Sequence, residues 1–379
     1  MSTNEGYHFH EATFVDQNGE LKTTKIPVVQ ELAARQDHFP KRFIASSPPL
    51  IIAAANTLPP VIDIAKLQSD CSRKAELRRL AEAAKEWGVF LIKNHGVEAV
   101  VLDDVKEVVK GFFGLSYEDK KANVGSFKSV DDMGYGKNFV KSEEQPLDWI
   151  DRLTMKAAPP VVTTCTNTNN IDGLSVWPQK PGNFRQAIEK YVEESRKVLD
   201  GLLQDLAESL SLDHQNAFLQ HFEPEQSEIK VRVNYYPPCP RPDLAIGLMP
   251  HSDASGLTLL LEFGATRALQ VLKGSAWTTL EWPNDNNNTL LLVNIGDLME
   301  IMSNGVLKSM WHQVRTKLDA ERFSVAYFYN PPPQSSIGPV VVGGGTSMYK
   351  RVVVEDYVSN YYKISPTTSK EAIMYARLG

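Results

Sequence analysis

The sequence predicts a mainly β core with flanking helices, and two observations carry that expectation. The second half is a succession of short apolar runs, over 229–235, 257–261, 269–272, 276–280, 290–294, 314–316 and 323–329. Turn signals separate them: Lys273-Gly274, an Asn-rich stretch over 284–288, and Asn304-Gly305. The first half instead repeats its apolar residues at helical intervals. Many short strands at such spacing build a sandwich or jelly-roll barrel, since alternating faces need a second sheet to cover them.

Taken in order, residues 1–56 form a mixed polar N-terminal extension with a short helix expected over 26–34 and an apolar end at 51–55. Pro59-Pro60 stops any helix there, and Val61-Ile62-Asp63-Ile64 reads as a short strand. A helix-rich region is expected over 57–225. Leu77, Leu80, Ala81, Ala84 and Trp87 fall on one helical face that ends at Gly88, and Val89-Phe90-Leu91-Ile92 reads as a buried strand. Val101, Val105, Val108, Val109 and Phe112 mark a second helix, ending near Gly114.

Between 125 and 170, Gly134-Tyr135-Gly136, Pro159-Pro160 and a Thr/Asn tract predict loops and edge strands. A long amphipathic helix follows over 184–210, its stripe made by Ile188, Tyr191, Val192, Leu199, Leu202, Leu203, Leu206 and Leu210. The β core is expected over 226–332, closed by Pro331-Pro332-Pro333. A helical tail over 333–379 returns across the outside.

Hydrophobic residues make up 42% and charged residues 23% of the 379, which is the balance of an ordinary globular protein. The net charge of −6 and the lack of a basic block exclude a nucleic-acid partner. No apolar run reaches the roughly 20 residues of a membrane helix and no apolar signal region opens the chain, so a cytoplasmic protein away from membranes is expected. Cys71, Cys165 and Cys239 lie far apart without a Cys-x-x-Cys pair, so all three are read as free thiols.

His251-Ser252-Asp253 and the distant His312 are the candidate metal ligands. Side chains two apart on a strand share a face, so His251 and Asp253 can converge on one ion. Only a folded sheet can bring His312 to them. Two imidazoles and one carboxylate leave positions open, as non-haem Fe(II) oxygenases require. Each piece alone has an ordinary explanation, because His-x-Asp is a common chance tripeptide and a lone histidine is usually solvated or hydrogen-bonded. Zinc hydrolysis, with a water at the open position, and simple small-molecule binding also remain available.

Arg322 and Ser324 follow on one strand face. Arg binds a carboxylate through two parallel hydrogen bonds and Ser adds a third, which suits a small dicarboxylate beside the metal. An inward Arg among Phe323, Val325, Ala326 and Phe328 needs an anion to offset its desolvation. Asn234 and Tyr236, at the end of the strand leading toward His251, can supply donors to the same anion.

From about Val28 onward the chain resembles the plant soluble Fe(II)- and 2-oxoglutarate-dependent dioxygenases of specialised metabolism and hormone chemistry. The residues that carry the likeness include Leu58-Pro59-Pro60-Val61-Ile62-Asp63, Trp87-Gly88-Val89-Phe90, Asn94-His95-Gly96, Asn234-Tyr235-Tyr236-Pro237, Asn294-Ile295-Gly296-Asp297 and Ser303-Asn304-Gly305. The resemblance implies a double-stranded β-helix, a jelly-roll of the cupin kind, with iron held by His251, Asp253 and His312. It implies 2-oxoglutarate on Arg322 and Ser324, assisted by Tyr236 and Asn234, with O2 as cosubstrate and ascorbate supporting activity. Gln313 stands where the family usually has Arg, and Ser252 where Thr is commoner; neither is a ligand, so both bear on the substrate. His95 is structural in the resemblance.

The implied reaction oxidises an unactivated C–H bond of a plant small molecule, hydroxylation first, with O-demethylation or desaturation in the same site as alternatives. A non-oxidative condensing enzyme or a binder on the same fold is the further alternative. Tyr135, Phe139, Met249, Phe328 and Tyr329 are the candidate pocket residues, suited to an aromatic or hydrophobic substrate such as a flavonoid, alkaloid, phenolic or hormone-like molecule. A monomer is expected.

Overall fold

The computed structural model describes residues 6–379 apart from 16–17, 36–38, 46–56, 125–132, 137–139, 159–176, 224, 284–288, 342–344 and 366–368. The apolar run at 51–55, the Thr/Asn tract and the Asn-rich turn at 284–288 therefore lie outside the described residues.

Two facing sheets make the core. The larger has eight strands in the order Val61–Asp63, Val89–Lys93, Leu291–Ile295, Leu257–Gly264, Arg322–Asn330, Glu228–Tyr236, Asp151–Ala158 and Gly134–Tyr135. Its first pair is parallel and the rest antiparallel. The smaller sheet orders Ala276–Thr279, Leu269–Lys273, His312–Arg315 and Ile246–His251, all antiparallel. This is the jelly-roll, or double-stranded β-helix, that the short strands predict.

Period-two alternation decides which side chains meet which layer. Val231, Val233, Leu259, Leu261, Val325 and Tyr327 point to the outer face of the large sheet, where helices Ala99–Phe113 and Phe184–Ser209 cover them. Leu260, Leu292 and Ala326 point inward and meet Leu269, Val271 and Val314 of the small sheet. Burial on both faces is why Leu259-Leu260-Leu261 in the strand Leu257–Gly264 is an unbroken apolar run. Each fully buried Leu, Val or Phe contributes roughly 1.5–3 kcal/mol.

The helix predicted around Leu77 begins earlier, at Asp70–Glu82, and widens into a π-turn at Ala83–Trp87. Gly88 ends it at φ +61, and a Cβ there would overlap the Lys308 carbonyl. Only glycine permits both the left-handed turn and that approach. The helix expected over 26–34 is shorter, Val29–Ala33, because Ile26 belongs to a hairpin of Phe9–Val15 and Leu21–Pro27. Polar residues on the exposed face of this hairpin hid it in the sequence. Asp151 joins the extension to the sheet by accepting the backbone N–H groups of Val29 at 3.1 Å and Gln30 at 2.7 Å. The tail contains helices Val354–Ile364 and Glu371–Met374.

Candidate active site

His251 ends the strand Ile246–His251, and His312 begins His312–Arg315 directly across from it in the antiparallel pair. That pairing is what closes the large gap between them in sequence. Asp253 is not on the same strand face as His251, as the tripeptide spacing predicts; the strand stops at His251 and Asp253 lies in the following loop. It still reaches the two imidazoles, with Oδ1 3.7 Å from each Nε2. One donor atom from each of the three lies within 4.8 Å of the others, a spacing that could hold a single metal ion.

The donors are preset. His251 Nδ1 sits 2.8 Å from the Met249 carbonyl and His312 Nδ1 3.1 Å from that of Met310. Carbonyls only accept, so both Nδ1 atoms carry hydrogen and both Nε2 lone pairs face Asp253. Burial, with the His312 imidazole adding to it, pushes His251 down to about 3, which keeps it neutral and able to ligate. Burial would raise the Asp253 carboxyl, but the two imidazoles and Asn294 outweigh it and hold Asp253 below the usual carboxylate range. Asn294 donates to Asp253 Oδ2 at 3.1 Å and so aims the other oxygen at the histidines.

The 252–255 loop is clamped on several sides. Asp297 N–H donates to the Asp253 carbonyl at 2.8 Å, and Ser252 Oγ donates to the Asp297 carboxylate at 3.1 Å. Tyr361 of the tail helix donates to the Ser252 carbonyl at 2.7 Å, and Tyr357 to Asp297 at 2.8 Å. Gly296 is required because a Cβ would run into the Ser255 carbonyl.

Arg322 is 2% exposed, which makes its partners decisive. It stands beside Tyr236 on one neighbouring strand, with its guanidinium 4.8 Å from that ring, and Ser324 stands between Asn234 and Glu262. Asn234 Nδ2 donates to Ser324 Oγ at 3.2 Å. The anion that its desolvation demands comes from within the chain, since Arg322 Nη2 donates to the Glu262 carboxylate. Arg322 Nε and Nη1 and Asn234 Oδ1 find no hydrogen-bond partner among the described residues. Buried donors left open in this way fit a ligand carboxylate.

A cleft of about 870 Å³, partly open to solvent, lies beside His251 and Asp253. Met249 and Phe328 line it. Tyr329, one residue further along the strand, turns to the opposite face, where its hydroxyl donates to Asp200 at 2.8 Å. Tyr135 is likewise outside the lining, packed edge-on to His10 and Phe112. Phe139 lies outside the described residues. Sequence reasoning missed Glu262, Asn294 as a partner of Asp253, and the cleft residues Arg152, Lys230, Arg232, Tyr361 and Tyr362. The alternation of Lys230, Arg232, Asn234 and Tyr236 with apolar residues was the available signal for the strand members among them.

Residues 228–331, which contain all three metal-ligand candidates and Arg322, match the family described as the 2OG-Fe(II) oxygenase superfamily. The chain belongs to that superfamily. Residues 59–180 match a second family, the non-haem dioxygenase in morphine synthesis N-terminal region. This 2OG-Fe(II) oxygenase is 36% identical over 355 residues to oxoglutarate-dependent flavonoid 7-O-demethylase 1 of Ocimum basilicum, covering 90% of this chain and 88% of that one. It is 35% identical to codeine O-demethylase of Papaver somniferum, covering 87% and 90%. A crystal structure of JOX2 in complex with 2OG, Fe and JA is 31% identical, with a TM-score of 0.79 over 93% of this chain and 98% of that one.

The oxygenase is accordingly a 2-oxoglutarate- and Fe(II)-dependent dioxygenase, which sets aside the zinc-hydrolase reading. No helix among the described residues is long and apolar enough to cross a membrane.

Proposed function

We propose that this enzyme oxidises a C–H bond of a plant small molecule, with hydroxylation as the primary outcome, and that His251, Asp253 and His312 hold the iron. The observation that carries the proposal is the convergence of two preset Nε2 lone pairs and one carboxylate oxygen beside a buried arginine with open donors. Bound iron supplies activation of O2, coupled to conversion of 2-oxoglutarate to succinate and CO2. Arg322 and Ser324 anchor the far carboxylate of 2-oxoglutarate, and Asn234 and Tyr236 orient them. Asn294 holds Asp253 in its ligating pose. Met249 and Phe328 give the substrate an apolar wall. Ascorbate supports activity by keeping iron reduced.

O-demethylation is the second reading, favoured by the relatives named for it: flavonoid 7-O-demethylase 1, codeine O-demethylase and thebaine 6-O-demethylase. Oxidation of a methoxy carbon gives a hemiacetal that expels formaldehyde, so the same site serves both outcomes. The enzyme is proposed to act as a cytoplasmic monomer. Its exposed apolar residues Val100, Leu318 and Met374 fall on a helix, in a loop and on a second helix far apart in the chain, which supports the oligomeric part of that reading.

The test is anaerobic loading with Fe(II), then O2, 2-oxoglutarate and a panel of plant small molecules. Succinate release with a product one oxygen heavier supports hydroxylation, and formaldehyde release supports demethylation. Turnover with Zn(II) in the absence of O2 would overturn the oxygenase reading.

A further inference from the structure

Resting on that reading, we propose that Arg267 is a positioning residue for 2-oxoglutarate, which receives the Glu262 carboxylate when the cosubstrate takes Arg322. Glu262 thereby acts as an internal anion that occupies the anchor and then steps aside.

The strands put the three groups in a row. Glu262 lies opposite Ser324 on the strand next to Arg322, and the chain leaves that strand through Gly264, at φ +118, where a Cβ would press on the Glu321 carbonyl. This turn carries Arg267 back over Glu262. Arg267 Nη1 donates to the Glu262 carbonyl at 3.0 Å, and its guanidinium carbon lies 4.5 Å from the Trp282 ring centre. Both contacts hold the guanidinium in place before any ligand arrives.

The Glu262 carboxylate is divided between two cations. Arg322 Nη2 donates to Oε2, while Oε1 stands 3.6 Å from Arg267 Nη1 and makes no hydrogen bond among the described residues. Oε1 needs to close only about half an ångström to reach hydrogen-bond length. Arg322 Nη2 is the nitrogen common to both edges through which a guanidinium grips a carboxylate in parallel. The far carboxylate of 2-oxoglutarate therefore meets Glu262 at that atom, where two like charges repel. The Glu262 side chain has no exposed surface, so water cannot take the displaced charge. Arg267, with 29% of its side chain exposed, is the other cation in salt-bridge reach of it among the described residues. Once Glu262 turns, Nη2 joins the open Nε and Nη1 donors of Arg322.

The test is a calorimetric titration of 2-oxoglutarate into the full chain loaded with Fe(II) in the absence of O2. Arg267→Gln keeps a donor for the Glu262 carbonyl but removes the charge, so Glu262 stays on Arg322 and 2-oxoglutarate should bind about tenfold more weakly. Arg267→Lys keeps the charge and should hold affinity to within about threefold of the parent. The deciding comparison is made in Glu262→Gln, where adding Arg267→Gln should change affinity by less than about twofold. An arginine that only supports the fold would cost the same in both backgrounds. Arg267→Met and Glu262→Met stand in for variants that fail to fold. Unchanged affinity in Arg267→Gln, a loss in Arg267→Lys as large as in Arg267→Gln, or an equal loss with and without Glu262 overturns the proposal. Failure of the underlying oxygenase reading would look different: the parent enzyme would bind no 2-oxoglutarate in the presence of Fe(II).

Discussion

Glu262 and Arg322 form a buried ion pair on adjacent strands, with Arg322 Nη2 donating to the Glu262 carboxylate and each residue about 2% exposed. The pair cancels much of the charge that would otherwise draw a dicarboxylate to Arg322. Arg267 Nη1, 3.6 Å from the other Glu262 oxygen, shares the same carboxylate.

Glu262→Gln should therefore lower the stability of the ligand-free enzyme by about 3 kcal/mol, since it strands a buried guanidinium. 2-Oxoglutarate should then bind more tightly and restore that stability. Melting temperatures with and without 2-oxoglutarate check this: the ligand-induced rise should exceed that of the parent enzyme. An equal or smaller rise would mean that Glu262 serves to position Arg322 for the ligand.

Arg322→Lys should weaken 2-oxoglutarate on the order of tenfold, because one ammonium cannot reproduce the two parallel donors of a guanidinium. The apparent KM for 2-oxoglutarate reads this directly, and an unchanged value contradicts the anchoring role.

Replacing His251, Asp253 or His312 with Ala should abolish iron retention and turnover together. Asn294→Ala is more discriminating. It removes the hydrogen bond that fixes Asp253 while leaving the three donors in place, so iron affinity should fall about 10–100-fold. Titration with Co(II), followed by its visible absorption, measures it without turnover.

Tyr361→Phe removes the hydroxyl that holds the Ser252 carbonyl. Stability should fall by about 1 kcal/mol, with a measurable loss of iron affinity, because the 252–255 loop carries Asp253. A loss of stability with full metal affinity would restrict the tail helix to a supporting role.

His10 lies under Gly136 and edge-on to Tyr135, and burial, with Lys120 and Lys121 adding to it, pushes its imidazole down from 6.5 to about 3. Below pH 6.5 the unfolded chain takes up a proton that the folded chain refuses. The stability this group contributes is thus present above pH 6.5 and lost as pH falls toward 3. Partial exposure of the ring trims the full linkage, leaving about 1 kcal/mol between pH 7.5 and pH 5. Denaturant unfolding at the two pH values should show that loss in the parent and not in His10→Phe, the buried carboxylates cancelling in the comparison.

The sequence alone determined the elements whose periodicity is strong. The runs over 229–235 and 323–329, and the stripe from Ile188 to Leu210, are legible because burial of a face imposes period 2 or 3.6 directly on the residue order. It also determined the donor types at 251, 253, 312, 322 and 324, since imidazole, carboxylate, guanidinium and hydroxyl carry their chemistry wherever they fall. Tertiary structure decided how they meet. Asp253 reaches the imidazoles from a loop and not from a strand face, and that loop is held by Asp297, Asn294 and a tyrosine more than a hundred residues away. Glu262 as the partner of Arg322, and the gathering of Arg152 with Lys230 and Arg232, depend on which strands lie side by side. Register is fixed by long-range packing, so no local stretch of sequence records it.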